Sequence, residues 1–389
     1  MKRNAGQFLR SSTSPEPFQA FVPAPLPPEP LLEIDIGLQG LLEKANRALG
    51  RLDGIGTLLP DTSLFLYSYI RKEALLSSQI EGTQSSFSDL LLYENEETPG
   101  VPVDDVQEVS SYVAALEHGL RRIREGFPLS LRLVREIHEI LLSNGRGSHK
   151  SPGEFRRSQN WIGGSRPGNA RYVPPPPEKV MECLGALEKF LHDDPAPTPT
   201  LIKAGLAHVQ FESIHPFLDG NGRVGRLLIT LLLCAEGAMT EPLLYLSLYL
   251  KTNREMYYDL LQGMRDTGDW EDWLRFFLQG VWETAEEASR TTRTVLQVFG
   301  EDRQQIEGLG RAAASALRVF GRLQATPLLS IRKTADALNL SVPTVIAAVK
   351  NLETLGVVQE LTGRQRDRLF VYGRYLDILN EGAEPIVGG

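Results

Sequence analysis

Apolar residues recur every three or four positions along most of this chain, which is the spacing of a helix with one buried face. In the first such segment they are Leu38, Leu42, Ala45, Leu49 and Leu52. The same spacing predicts helices over 63–80, 106–125, 130–142, 178–192, 200–212, 283–299 and 342–355, and a nearly all-apolar helix starts near residue 227. The pattern therefore predicts a mainly α fold.

Two regions interrupt the helical spacing. Residues 1–30 are rich in Pro, Ser and small side chains, which predicts an extended arm on the surface. Within 154–177, the strand-like pieces 158–162 and 170–173 flank a loop dense in Gly, Pro and Asn. This second pattern predicts a β-hairpin.

The helix predicted over 63–80 ends in an unusual way. Glu81 stands at its C-terminal end, and Gly82 can take the left-handed cap conformation. A carboxylate at this end opposes the helix dipole, at a cost of about 0.3–1 kcal/mol. We therefore expect a cation to lie close to Glu81.

The C-terminal part of the chain predicts a winged helix. From Ser330 a capped helix, an Asn-Leu-Ser turn and a second helix form a helix-turn-helix pattern, and strand-like pieces around 363–368 would form the wing. DNA binding requires polar and basic side chains at the start of the second helix, whereas Pro343, Val345 and Ile346 stand there. Arginines of the wing could still contact phosphates. Dimerisation or substrate selection is favoured over DNA binding.

Composition narrows the class of protein. The 389 residues suffice for two or three domains. The net charge of −8 gives no reason to expect general nucleic-acid affinity, although 311–380 carry ten Arg or Lys against five Asp or Glu. Two cysteines, Cys183 and Cys234, favour a reducing cytoplasm without disulfides. No apolar run is long enough to predict a membrane span, and histidines such as His138 lack zinc-ligand spacing and are predicted to pack.

The stretch from residue 215 to residue 226 concentrates the groups of an anion site, with the sequence HPFLDGNGRVGR. Its glycines free the backbone for positive φ or close approach to a ligand, and the helix that follows presents its N-terminus. Arg223 and Arg226 share one side of the first turn and can hold phosphate oxygens. Asp219 would repel phosphate unless Mg²⁺ lies between them. His215 is the group that can accept a proton at neutral pH.

This stretch resembles the core motif of the Fic family, H-x-F-x-[DE]-G-N-G-R-x-x-R, at every defined position. The resemblance implies that His215 deprotonates a protein hydroxyl, which attacks the α-phosphate of ATP and takes up AMP. Asp219 would hold Mg²⁺, Arg226 would bind the γ-phosphate, and Phe217 would anchor the loop in the core. The nucleotide-binding residues would further include Gly220, Asn221, Gly222, Arg223, Val224, Gly225, Ile162 and Gly163. Gly222 argues against the Doc-like kinases, which carry lysine there.

Three more features resemble the Fic family. Ser77, Glu81 and Gly82 match the inhibitory motif [ST]-x-x-x-E-[GN], which implies that Glu81 pairs with Arg226 and prevents productive binding of the γ-phosphate. The hairpin would be a flap that binds the target protein along 158–173 as an added strand. Tyr257 would contact adenine or ribose, with Tyr258 as the core-facing alternative.

These resemblances imply four regions and leave several functions open. The regions are an arm over 1–30, a helical region with the inhibitory helix over 31–105, a Fic catalytic domain over 106–300 and a winged helix over 311–380. The leading hypothesis is an auto-inhibited protein adenylyltransferase that uses Mg-ATP. The alternatives are a hydrolase that removes AMP with help from Glu81, and an ATP-sensing DNA-binding regulator. A homodimer, and a donor other than ATP, also stay open.

Overall fold

The computed structural model describes residues 3–10, 17–58, 63–95, 98–362 and 368–385, and most of them are helical. The helices are α1 (Ile36–Leu58), α2 (Ser63–Ile80), α3 (Phe87–Glu94), α4 (Val103–Arg124), α5 (Leu131–Leu141), α6 (Pro177–Leu191), α7 (Thr200–Ile214), α8 (Asn221–Ala235), α9 (Ser247–Thr252), α10 (Arg254–Thr267), α11 (Trp270–Glu307), α12 (Ala313–Ala325), α13 (Ile331–Leu338), α14 (Val342–Thr354) and α15 (Gly373–Asn380). The strands are β1 (Gly6–Arg10), β2 (Gln19–Pro23), β3 (Leu328–Ser330), β4 (Gln359–Glu360) and β5 (Leu369–Val371). The predicted mainly α fold is confirmed.

Helices α7 and α8 lie at the centre of the fold. Every residue of α7 from Leu201 to Ile214 is buried, and α8 packs against it. The buried ammonium group of Lys203 in α7 is paired with Asp193 at 2.7 Å and Glu236 at 2.9 Å. The loop that joins the two helices is therefore fixed at both ends by the core.

The long helix is longer than its sequence pattern predicts. Instead of 283–299, α11 runs from Trp270 to Glu307, because Asp269 caps its start and no proline interrupts the residues that follow. Its first half joins the central helices, where Trp273 donates a hydrogen bond to the Gly205 carbonyl oxygen at 2.8 Å. Its second half packs on the C-terminal unit through Phe299.

The prediction of an extended N-terminal arm is wrong for the residues that the structure describes. β1 and β2 pair antiparallel, and Phe21 in β2 is 1% exposed. The Phe21 N–H donates to the Val173 carbonyl oxygen at 2.9 Å, and Gln210 of α7 donates to the Ala24 carbonyl oxygen at 2.8 Å. The apolar run 20–22 outweighs the prolines around it because it can cover α7.

The winged helix is present as predicted. Helices α13 and α14 form the helix-turn-helix, with Asn339 in the left-handed conformation at the turn, and the sheet order is β3-β5-β4. The predicted wing tip at 363–367 lies outside the described residues. The unit is anchored to α2, because the Tyr375 and Ser68 hydroxyls are 2.8 Å apart and Gln79 donates to the Ala383 carbonyl oxygen at 2.9 Å.

A membrane-spanning segment is not found among the helices that the structure describes, since none is both long and apolar enough. The division of the chain into regions at 30, 105 and 300 stays a prediction, because the apolar core continues from α2 into α15.

Candidate active site

The stretch singled out in the sequence folds as a loop between α7 and α8. His215 follows α7 in the left-handed conformation, with φ 47°, and Gly220 precedes α8 with φ 74°. The Asn221 side chain closes the loop, because its Oδ1 accepts a hydrogen bond from Phe217 N at 2.8 Å and its Nδ2 donates to Phe217 O at 2.9 Å. The side chain of Asn221 thus holds the loop, whereas its N–H, at the helix start, is placed for a phosphate. Phosphate binding by Asn221 stays a prediction.

Two buried side chains outside the loop support it. His138 stacks on Phe217 with ring centroids 3.6 Å apart, and its Nε2 lies 3.1 Å from the Asp219 carbonyl oxygen. Burial lowers the pKa of His138 to about 4, so the ring is neutral. Arg156 donates to the His215 carbonyl oxygen at 2.9 Å. His138 is a packing residue, as predicted, and it also fixes the position of the loop.

Glycines 222 and 225 serve close approach and not positive φ. Only Gly220 of the three has positive φ, since the other two lie inside α8. A Cβ on Gly222 would stand 2.4 Å from Glu81 Oε1, and a Cβ on Gly225 would stand 2.3 Å from Glu212 Oε1. These glycines therefore let two carboxylates reach the first turns of α8.

Glu81 pairs with Arg226 beside the loop. Arg226 Nη2 donates to Glu81 Oε1 at 2.7 Å and to the Ser77 carbonyl oxygen at 3.0 Å, and Nε donates to Ser77 Oγ at 2.8 Å. The Arg226 side chain is 1% exposed and that of Glu81 is 33% exposed. Burial alone would raise the pKa of Glu81, but the charge of Arg226 outweighs it and holds the pKa below its usual range. The cation expected near Glu81 is therefore Arg226.

His215 lies where two cavities meet, and both contain Glu81 and Gly222 in their walls. Burial, together with the guanidinium groups of Arg265 and Arg156, lowers the pKa of His215 to about 3. The imidazole is therefore neutral throughout the neutral pH range and can accept a proton.

The first cavity, of about 620 Å³, has the size and lining of a nucleoside site. Its walls include Ile162, Gly163, Tyr257 and Tyr258. The contact predicted for Tyr257 stays a prediction: Tyr257 is 1% exposed, and its hydroxyl lies 2.9 Å from His208 Nε2 on the core side of the cavity wall. Tyr258 is half-buried and is the better placed of the two for a ligand.

The second cavity, of about 230 Å³, contains the charged groups of the loop. Asp219 and Arg223 line it, 3.6 Å apart, together with the first residues of α8. No group of three or more His, Cys, Asp or Glu side chains in the described part of the chain could hold a metal ion alone. A lone, partly exposed carboxylate does fit Mg²⁺, which takes one or two carboxylates together with phosphate oxygens.

Val224 and Gly225 are corrected as nucleotide-binding residues. Val224 is fully buried, and its N–H is already bonded to the Gly220 carbonyl oxygen at 3.0 Å. Neither residue is among those that line the two cavities within the described ranges. Only the N–H groups of the first helical turn, residues 221–223, are left without an intrahelical partner.

The predicted hairpin is much shorter than its sequence pattern. Within 158–173 a single antiparallel bridge pairs Ile162 with Tyr172, with hydrogen bonds of 2.9 and 3.1 Å. Gly163 and Gly164 both have positive φ, at 68° and 75°, and divert the chain from strand geometry. Trp161 remains 39% exposed and lines the first cavity together with His215.

Several residues of the site were not predicted from the sequence. Glu108 and Arg146 lie near Asp219, whereas Glu212 and Arg265 line the first cavity. They come from four different helices or loops, so no local motif unites them. The one signal was Glu212 itself, an acidic residue three positions before the core motif in a largely apolar helix.

Glu212 gives a prediction about stability and pH. It is 6% exposed, its Oε1 has no hydrogen-bond partner, and burial raises its pKa to about 7. Because the folded-state pKa of Glu212 exceeds the usual value, the stability that its protonated form contributes is fully present below about pH 4.5 and is lost as pH rises through 7. Glutamine stays neutral at every pH. The stability of Glu212→Gln relative to the wild type should therefore increase by about 2–3 kcal/mol from pH 5 to pH 8.

Thermal unfolding of both proteins at pH 5 and pH 8 measures this gain. The surface variant Glu255→Gln is the control, and its difference from the wild type should be the same at both values. An equal difference for Glu212→Gln at the two pH values would contradict the raised pKa.

Comparison with known protein families agrees with this architecture. Residues 39–121 match the model of the Fic/DOC family N-terminal region, residues 128–233 match the Fic/DOC family, and residues 315–359 match a winged helix-turn-helix DNA-binding family. These matches follow the order of α1 to α4, then α5 to α8, then α12 to α14.

Several curated relatives share the name protein adenylyltransferase Fic. The chain is 32% identical over 182 residues to a protein adenylyltransferase Fic of Aedes aegypti, which is 46% of this chain and 33% of the relative. It is 27% identical over 236 residues to that of Drosophila willistoni, with coverage of 60% and 42%. The chain thus spans well under half the length of these relatives.

Solved structures show the same fold. A Fic family protein from Desulfovibrio desulfuricans G20 superposes with a TM-score of 0.59 at 20% identity, over 88% of this chain and 97% of that one. A Fic domain containing signaling protein from Bacteroides thetaiotaomicron gives a TM-score of 0.50 at 18% identity, over 66% and 94%. These likenesses show the fold. The complete core motif and the matches to both Fic/DOC models show that the chain belongs to the Fic/DOC family over residues 39–233, and a winged helix follows its Fic region.

Proposed function

We propose that this chain is an auto-inhibited protein adenylyltransferase, which transfers AMP from Mg-ATP to a Ser, Thr or Tyr hydroxyl of a target protein or of itself. The observation that carries the proposal is the position of His215, a neutral imidazole between a nucleoside-sized cavity and a cavity lined by Asp219 and Arg223. The relatives named protein adenylyltransferase Fic support the same activity.

The reaction follows from what each group can do. The target hydroxyl gives its proton to His215 while its oxygen bonds to the α-phosphorus of ATP. The bond from that phosphorus to the bridging oxygen then breaks, and pyrophosphate leaves. Arg223 and the N–H groups at the start of α8 bind phosphate oxygens, where they stabilise the charge that develops. Mg²⁺, which Asp219 would hold, neutralises part of the phosphate charge when bound.

Inhibition rests on the partner of Arg226. While Glu81 holds the guanidinium group, the γ-phosphate cannot take its place, and the carboxylate would repel it. Removing Glu81 should leave a buried arginine available to an anion. The flap supports the choice of a protein target, because Trp161 and Ile162 are exposed, line the first cavity together with His215, and can contact an extended segment there.

Transfer of label from ATP tests the proposal. With Mg²⁺ and ATP labelled at the α-phosphate, Glu81→Gly should label itself or a lysate protein at least about tenfold more strongly than the wild type, since a coupling of 1.4 kcal/mol already gives that factor. Glu94→Gly is the matched control, because Glu94 ends α3 and pairs with Arg71 at 2.9 Å, away from the site. It should leave labelling at the wild-type level.

The position of the label separates AMP transfer from other reactions. Label that comes from the γ-phosphate would mean phosphate transfer and would contradict the proposal. Absence of label in every variant would also count against it, and other nucleotides would then be tested as donors.

A second candidate function is supported by one observation. Glu81 lies in the walls of both cavities with His215, so its carboxylate could orient a water molecule for removal of AMP. In that case Glu81→Gly would lose the release of AMP from a modified protein. DNA binding has less support, since Val342 and Ile346 are exposed on α14, at 42% and 44%. A gel shift with steep salt dependence would favour it.

A further inference from the structure

Arg146 lies in the second cavity, outside the core motif, and the turn that carries it is built for this place. Gly145 and Gly147 flank it with φ values of 72° and 89°. A Cβ on Gly147 would stand 2.9 Å from Asp219 Oδ2. The turn therefore lies directly against Asp219, and the Arg146 side chain is one of the groups that line the cavity.

A buried carboxylate positions Arg146 together with Arg223. Glu108 is 2% exposed; its Oε2 accepts a hydrogen bond from Arg146 Nη2 at 3.0 Å, and its Oε1 lies 3.0 Å from Arg223 Nη1. The single carboxylate of Glu108 thus pairs with two guanidinium groups, and Glu108, Arg146 and Arg223 together carry a net positive charge. The Arg146 side chain is 53% exposed, against 3% for Arg223.

Arg223 supplies an independent sign that an anion belongs here. Its Nε is buried and has no hydrogen-bond partner in the described part of the chain, whereas its Nη1 lies 3.0 Å from Glu108 Oε1. A buried guanidinium N–H without an acceptor is costly, and a bound oxyanion would satisfy it. Among the described residues, no Phe, Tyr or Trp lines this cavity of about 230 Å³, so it suits phosphate and not a base.

We propose that Arg146 binds the β-phosphate of the nucleotide, together with Arg223, and then holds the leaving pyrophosphate. This inference rests on the proposed function and adds a phosphate-binding residue to it. His215 stands between the two cavities, so an α-phosphate beside it directs the rest of the triphosphate towards the second cavity, whose lining includes both Arg146 and Arg223. As the bond at the α-phosphorus breaks, negative charge grows on the oxygen that the β-phosphate retains, and a guanidinium group there stabilises it.

Binding by a catalytically silent chain tests this role without turnover. In the full chain carrying Glu81→Gly and His215→Ala, titration calorimetry with Mg²⁺ should show that Arg146→Ala weakens inorganic pyrophosphate and ADP by about tenfold, the usual loss for a charged hydrogen bond. AMP binding should be unchanged. Arg146→Lys should recover part of the affinity, because it keeps the charge without the planar fork.

Arg124→Ala is the matched control. Like Arg146, the Arg124 side chain is 53% exposed, and it also pairs with a glutamate that is distant in sequence, Glu241. It should change none of the three affinities. Equal weakening of AMP would place Arg146 at the α-phosphate and overturn the proposal. Unchanged affinity for pyrophosphate and ADP would overturn it too. Calorimetry needs no reaction, so the two proposals can fail separately. Absence of AMP transfer would reject the proposed function, whereas the effect of Arg146→Ala on pyrophosphate and ADP binding would still test the role of Arg146.

Discussion

Replacing His215 by alanine in the Glu81→Gly background should lower AMP transfer by about 10²–10⁴-fold, the usual contribution of general base catalysis. The reason is the position and charge of the side chain. It is neutral, it lies between the two cavities, and its backbone is fixed by Arg156, whose Nε donates to its carbonyl oxygen at 2.9 Å. No other histidine of the described residues lines either cavity.

Two quantities are measured, the transfer of labelled AMP and the affinity for Mg-ATP. Label from the α-phosphate should disappear in the double variant, whereas the affinity for Mg-ATP should change by less than about threefold, because the phosphates are bound by α8 and the arginines. His149→Ala, an exposed histidine in the loop after α5, is the control and should keep full transfer. Persistent label in the double variant would show that another group accepts the proton.

The pH dependence of the Glu81→Gly rate adds a second check on the same group. Since the pKa of His215 is lowered to about 3, the imidazole of the free protein stays neutral from pH 6 to pH 8. Its protonation should therefore not reduce kcat/KM in this range. A fall in kcat/KM below about pH 6.5 that is absent when the nucleotide is saturating would indicate an ordinary histidine pKa instead.

Local patterns predicted the parts of the site that one segment supplies. The bounds of α2, 63–80, agree with the structure because the apolar spacing continues up to a glycine that can end the helix. The loop from His215 to Asn221 and the helix after it followed from a complete motif. The pairing of Glu81 with Arg226, 145 positions apart, came from the resemblance and not from the sequence pattern.

What could not be predicted depends on how distant elements face each other. Tyr257 and Tyr258 are neighbours on α10, and which of them faces the core depends on His208 in α7. Glu108, one of several acidic residues near the start of α4, becomes special only because Arg146 and Arg223 reach it from two other elements. The N-terminal strand shows the same limit, since its burial depends on α7 and not on its own prolines.

Glu81→Gly should also be less stable than the wild type when no nucleotide is present. Removing one partner of a buried ion pair leaves the other charge uncompensated, and this usually costs 3–5 kcal/mol. Because Glu81 is 33% exposed, water screens the pair, and we expect a loss of about 1–3 kcal/mol. Ser77 still accepts hydrogen bonds from Arg226, which limits the loss.

The pKa of Glu81 determines how the stability difference between wild type and Glu81→Gly changes with pH. Its pKa is held below the usual value of 4.5, so the pair contributes its full stability above that pH and loses it as pH falls through the lowered pKa. The difference in melting temperature between wild type and Glu81→Gly should therefore be constant from pH 6 to pH 8 and shrink below about pH 4.5. A difference that grows on acidification would contradict the pairing.

Mg-ATP should reverse the loss of stability in this variant. If the γ-phosphate takes the position of the missing carboxylate, the nucleotide should raise the melting temperature of Glu81→Gly more than that of the wild type. At a concentration 100 times Kd, nucleotide binding adds about 2.7 kcal/mol to the free energy of unfolding. This gain is comparable to the stability lost with the Glu81 carboxylate. AMP, which has no γ-phosphate, should give a smaller rise, and Glu94→Gly should respond to both nucleotides as the wild type does. Equal rises with ATP and AMP in Glu81→Gly would mean that Arg226 does not receive the γ-phosphate, and inhibition would then have to act through the shape of the cavity instead of through exchange of one anion for another.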